Sequence, residues 1–336
     1  MTFSRPVSDD ARALHRESIV IDATSFFCEG HNDMLVTGGL TALNLTVPDI
    51  EDDAGEATKA IAEHYGLVNS DPRLRFAYTG DDIRKAKADD AVALIIGAQN
   101  ARHMASKPYL PELFYRMGMR ISQLAYNDRS FAADGSATEA DAGLSREGRV
   151  LVEEMNRVGM VVDVSHVGPR SAAEAIALST RPPIASHSNP RTVGTDSIRN
   201  IDESLMTAIA DKDGVIGLSP FPAMVRPLDE PASIEDFLDI VDHSVRLVGI
   251  DHIGIGTDKE ASPGAYPREV RLRLRRRFAK AVKPNELAEI QGLDGFASLG
   301  DMPVITQGLL DRGHDENAVQ KILGLNFLRV FDANWQ

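Results

Sequence analysis

Eight short apolar runs, each separated from the next by polar loops and longer stretches of helical periodicity, constrain this chain more than any other feature. They predict strands over Ile19–Asp22, Thr41–Thr46, Ala91–Gly97, Arg120–Leu124, Val161–Val164, Pro183–Ser186, Val215–Ser219 and Ile253–Thr257. A helix predicted over Glu147–Val158 gathers Leu151, Val152, Met155 and Val158 on one face. Another over Ile234–Leu247 gathers Phe237, Ile240, Val241 and Val245. Eight strands alternating with helices predict an α/β fold, a closed parallel (β/α)8 TIM barrel. The competing arrangement is an open doubly wound sheet, but no Gly-x-Gly-x-x-Gly follows the first run to cradle a dinucleotide.

The chain has 336 residues with 43% hydrophobic content, enough for one large core, so a single domain over 1–336 is expected. Lys+Arg of 36 against Asp+Glu of 50 leaves a net charge of -14, which repels phosphate backbones and anionic membrane surfaces. The expected partners therefore include no nucleic acid and no membrane. Cys28 is the only cysteine, so no intrachain disulfide can form and a reducing compartment fits. Met1 to Ser18 carries Asp9, Asp10, Arg12 and Arg16 where a signal peptide needs an apolar stretch. No segment approaches the roughly 18 apolar residues of a membrane span, and a cytoplasmic location is the expectation.

In a barrel of this kind function is built where strands end. The fifth strand runs into Ser165-His166, the sixth into His187-Ser188, and the eighth into Asp258. Two imidazoles on neighbouring strand ends suit zinc, and an ion with an open position lowers the pKa of bound water toward neutrality. A nearby carboxylate can take the proton. A lone histidine is more often a hydrogen-bonded structural residue; two at successive strand ends beside an aspartate favour a site. His15, His64, His103, His243, His252 and His314 lack such partners and read as structural or surface residues.

The stretches Gly159-Met160-Val161-Val162-Asp163-Val164-Ser165-His166-Val167, Pro183-Ile184-Ala185-Ser186-His187-Ser188 and Gly254-Ile255-Gly256-Thr257-Asp258 resemble the membrane (renal) dipeptidase family of the amidohydrolase superfamily. So do Gly143-Leu144-Ser145 to Asn156-Arg157, Arg199-Asn200, and the tail Gly324-Leu325-Asn326-Phe327-Leu328-Arg329-Val330-Phe331. The resemblance implies a barrel with two zinc ions that hydrolyses dipeptides. It implies that His166 and His187 are metal ligands, that Asp258 is catalytic, and that Arg199 holds the substrate carboxylate.

Three positions depart from that pattern. Where the family ends its first strand with a His-x-Asp metal pair, this chain has Thr24 and Phe26 in Ala23-Thr24-Ser25-Phe26. Gln99 stands for the bridging glutamate, a neutral group that can ligate one ion, and Tyr126 stands for a substrate-binding histidine. The reading is a depleted site in which His166, His187 and Gln99 hold one zinc ion, Asp258 is the base, and Arg199, Tyr126 and Asn100 bind a small, possibly anionic substrate. The alternative is a binuclear dipeptidase in which Gly30-His31-Asn32-Asp33, displaced beyond the strand, delivers His31 and Asp33. A degenerate barrel serving only as a binding protein is the other. A homodimer is expected from the resemblance alone. Arg268, Arg271, Arg273, Arg275, Arg276, Arg277, Lys280 and Lys283 form a basic cluster that either draws anionic substrates or serves as a solvated face or subunit contact.

Overall fold

The alternation of side chains along the predicted strands is realised as two buried layers. The computed structural model describes residues 6–26, 32–105, 107–227, 230–260 and 293–335. Eight strands form the barrel: β1 (Ile21–Phe26), β2 (Ala42–Thr46), β3 (Val92–Ala98), β4 (Met119–Gln123), β5 (Val161–Asp163), β6 (Ile184–Ala185), β7 (Val215–Leu218) and β8 (Ile253–Ile255). Neighbours pair in parallel in that order, and β8 returns to β1 through Asp22 opposite Ile255, which closes the sheet. Ile21, Ala23, Ala93, Ile95, Ile121, Val161, Ile184 and Val215 form one buried cluster. Their sequence neighbours Leu94, Ile96, Val162 and Ile216 belong to a larger one shared with the helices. The period of two thus sorts each strand between barrel interior and helical layer.

The predicted helices appear as Arg146–Val158 and Ile234–Val248. Ser145 caps the first from Gly148 N at 2.9 Å, and Gly159 ends it with a φ of 91°. Two short strands were not expected. Leu74–Phe76 runs beside the start of β3, and Lys259–Glu260 pairs with Ser25 and Phe26 at the end of β1. One is three residues long and the other two, with charges among them, so neither carries a readable period. Among the described residues no helix is long and apolar enough to cross a membrane.

The C-terminal helix, Asn326–Asn334, closes the amino end of the barrel. Arg329 donates to the carbonyls of Asp213 and Asp251, Arg181 to those of Ala333 and Asn334, and Asn334 to that of Pro182. Asp213, Asp251 and Pro182 all lie just ahead of strands. Phe327, Phe331 and Trp335 join the interior cluster, and a Cβ on Gly254 would stand 2.3 Å from the Phe327 ring. The glycine of β8 is therefore the space the phenyl occupies. Phe327→Ala should lower the unfolding free energy by about 3–5 kcal/mol, read by urea denaturation, because the emptied volume lies between rigid strands.

Candidate functional site

Asp163, at the end of β5, fixes the two segments that carry the histidines. Its carboxylate accepts from Ser165 N at 2.9 Å, Ser186 N at 3.0 Å, Ser186 Oγ at 2.5 Å and Gln123 Nε2 at 3.0 Å. Ser165 Oγ in turn accepts from His187 N at 3.1 Å. Both imidazoles are thereby held on one rim, with their Nε2 atoms 2.9 Å apart.

The hydrogen bonds on the far side of each ring decide what meets in that gap. His166 Nδ1 donates to Asn127 Oδ1 at 2.8 Å. Ser186 gives its own proton to Asp163, so it accepts from His187 Nδ1 at 2.7 Å. Burial, reinforced by the Arg199 guanidinium, holds both imidazoles well below their ordinary pKa, so both are neutral. With Nδ1 protonated in each, both Nε2 atoms present lone pairs to the same point, which repel unless a cation lies between them. This is the tautomer pattern of paired metal ligands.

Asp258 completes the cluster. Its Oδ2 lies 4.0 Å from His187 Nε2, with the side chain 18% exposed. Burial pushes its carboxyl up to about 6, against the opposing pull of Arg199 and a hydrogen bond from Gln99. Gln99 also donates to Thr46 Oγ1 at 2.9 Å, and its buried Oε1 has no protein partner. Arg199, half-buried, donates to His187 O at 3.2 Å. Tyr126 stacks on His166 with centroids 4.0 Å apart. Three of the non-glycine residues with positive φ stand here: Asn127 at 57°, His166 at 66° and Asp258 at 52°. Such backbone costs of order 1–3 kcal/mol per residue and gathers at functional sites.

The donor set fits one divalent ion: two imidazole lone pairs, an orphan amide oxygen and a carboxylate in reserve. Among the described residues no second donor set stands beside it. At the end of β1 the Thr24 hydroxyl donates to Ala23 O at 2.5 Å, and Phe26 offers no donor. Among the described residues no three His, Cys, Asp or Glu side chains gather into a group that could hold an ion. Asp33 does not come to the rim; it is 83% exposed and pairs with Arg73, which leads into Leu74–Phe76. This counts against the alternative of a displaced His31/Asp33 pair as far as Asp33 is concerned. His31, Cys28 and the basic residues from Arg268 to Lys283 lie outside the described residues.

Asn100 sits apart from the imidazoles. Its amide spans Ile50 O and Ala101 N, and it lines a cleft of about 700 Å³ shared with Tyr126, Asn127 and Phe131. A smaller cavity of about 240 Å³ is lined by His166, Arg191 and Arg199. The other histidines are bonded elsewhere: His15 to Thr306 and Gly38, His243 to Glu203, His252 to Gly214 and His314 to Asp242. Sequence reasoning missed Asn127, Ser186, Asp163 and Asp22. The signal for the last two was a carboxylate inside an apolar strand run, where burial demands partners. Asp22 accepts from Thr257 N at 2.8 Å and Thr257 Oγ1 at 2.6 Å, directly before Asp258.

Comparison with known proteins agrees with this architecture. A family model for membrane dipeptidase, peptidase family M19, matches residues 27–269, well over half of the chain. A curated relative, dipeptidase tcpJ of Claviceps purpurea, is 28% identical over 260 residues, 77% of this chain but 55% of its own length. The chain thus spans little more than half of that protein. A crystal structure of an amidohydrolase from Pseudomonas aeruginosa superposes with a TM-score of 0.88 at 30% identity, covering 97% of this chain and 99% of the other. A metallopeptidase from Rhodobacter sphaeroides, solved with a phosphinate mimic of the dipeptide L-Ala-D-Ala, shares the fold, with a TM-score of 0.76 at 19% identity over 95% of this chain and 100% of that one.

Ser186→Ala should leave the fold intact but free the His187 ring to exchange tautomers. Zinc affinity, read by competition with a chromogenic chelator, is expected to fall about 10–100-fold.

Proposed function

We propose, for a chain that belongs to the membrane dipeptidase family (peptidase family M19), that it is a metal-dependent hydrolase acting through one zinc ion on the amide or ester carbonyl of a small substrate. The observation that carries this reading is the pair of Nε2 atoms facing each other across 2.9 Å, each ring having an oxygen partner at its Nδ1. His166 and His187 would hold the ion, with Gln99 Oε1 as a weaker third donor. A divalent ion so placed supplies Lewis acidity and lowers the pKa of bound water.

The remaining work falls to side chains. Asp258 takes a proton as water adds to the carbonyl carbon, and returns it to the departing nitrogen or oxygen as that bond breaks. Its high pKa suits both halves of the exchange. Arg199 is the group for a substrate carboxylate, and Tyr126 and Asn100 orient the acyl side. The substrate is thus a small molecule with an anionic end. We take the whole chain as one catalytic unit, and the cytoplasm as its place of action, since its single cysteine suits a reducing compartment.

Elemental analysis of protein purified without chelator should find one ion per chain in the wild type and none in His166→Ala. Two ions would bring the His31 segment back into the site, and none even after zinc reconstitution would favour a non-catalytic binding barrel. A second measurement is the pH profile. Because Asp258 must be ionised to accept a proton, kcat/KM should rise with pH along an acidic limb lying below about 6, since a bound divalent ion favours the carboxylate that burial disfavours. Arg199 pulls that carboxyl down, so Arg199→Met should move the limb to higher pH. Asp258→Asn should remove it and cost about 10²–10⁴ in kcat.

A further inference from the structure

Two cavities that differ in size and in lining meet the stacked rings of Tyr126 and His166: Tyr126 lines the larger, His166 the smaller. The smaller, about 240 Å³, brings together Arg191 and Arg199 against an apolar wall that includes Val167, Ile201 and Leu205. Arg191 Nε is buried without a hydrogen-bond partner; the Asp202 carboxylate lies 3.6 Å away, and Asp196 also lines the cavity. A space with two guanidiniums and an aliphatic wall suits one carboxylate on a small apolar body. The larger cleft, about 700 Å³, is of mixed character, with Phe131 and Ala105 beside Asn100, Arg102 and Arg129. Clefts of about 300–1,000 Å³ enclose drug-sized ligands, several times the bulk of one amino-acid residue.

Resting on the hydrolase reading above, we infer that the substrate is an N-acylated apolar amino acid whose acyl group is larger than a single residue and carries polar groups. The amino acid lies in the small cavity, its carboxylate on Arg199 and Arg191, and the acyl group extends past Tyr126 into the large cleft. Water adds to the acyl carbon and the C–N bond breaks. The products are a carboxylic acid and a free amino acid, with the proton carried by Asp258. A simple dipeptide leaves the large cleft mostly filled with water and forgoes its binding energy.

The test compares zinc-loaded enzyme on glycyl-leucine and on N-benzyloxycarbonylglycyl-leucine, which share the same scissile bond and carboxylate. The extended substrate should show at least a tenfold higher kcat/KM. Ala105→Trp and Ala54→Trp, both in the wall of the large cleft and neither in the catalytic cluster, should each abolish most of that preference while glycyl-leucine turnover and the thermal midpoint stay unchanged. Equal or better turnover of glycyl-leucine, or a preference untouched by both obstructions, overturns the substrate assignment and leaves the hydrolase reading standing. Turnover of neither substrate by enzyme holding its ion overturns the hydrolase reading and this inference with it.

Discussion

Closure of the sheet at Asp22 is the constraint on which the rest of the molecule depends. Asp22 lies opposite Ile255, the one pairing that joins β1 to β8. Its carboxylate is wholly buried and accepts hydrogen bonds from Thr24 N, Thr257 Oγ1 and Thr257 N. Burial raises its pKa to about 7, and these three hydrogen bonds offset part of the cost of placing it there. The residue after Thr257, Asp258, donates its backbone N–H to Thr24 O at 2.9 Å. The bonds that shut the barrel thus also set the carboxylate beside the imidazoles.

The molecule divides its labour between the two mouths of the barrel. At the amino end, aromatic side chains of the C-terminal helix fill the interior and arginines tie that helix to the turns ahead of several strands. At the carboxyl end the interior becomes polar: Asp163, Gln123, Ser165, Ser186 and Asp22 are buried there, most of them bonded to one another or to backbone. A buried polar network of this kind holds its members in one arrangement, since each partner lost leaves another unsatisfied. That rigidity lets two neutral imidazoles be held with their lone pairs opposed.

The barrel was legible because apolar strands and amphipathic helices obey different periods, and each of the eight strands was found within a few residues of its ends. His166, His187 and Asp258 were legible because each follows directly on an apolar run, where a rim residue must stand. Asn127 and Ser186 were not, since their role is set by which ring nitrogen they reach, and that depends on side-chain direction across separate strands. Asp33 bears on the alternative that the sequence left open. The Gly30-His31-Asn32-Asp33 motif carries the right residue types, but the helix Asn32–Thr37 turns Asp33 toward Arg73 and solvent. Gln99 sits in between: its position was foreseen, while its orphan oxygen emerged only from the partners of its nitrogen.

The aromatic floor of the barrel comes from a helix that follows all eight strands in the chain, and this bears on how the protein is made. While a ribosome is still translating toward Phe327, the strands can pair and the helices can pack around them, yet the interior has no floor. Water can enter among Ile21, Ile95, Ile121 and Val161 until the last helix arrives. Such a half-finished barrel exposes apolar surface and is the species most open to chaperones, proteases and self-association. Filling of the interior therefore waits on a segment that lies at the mouth opposite the paired imidazoles.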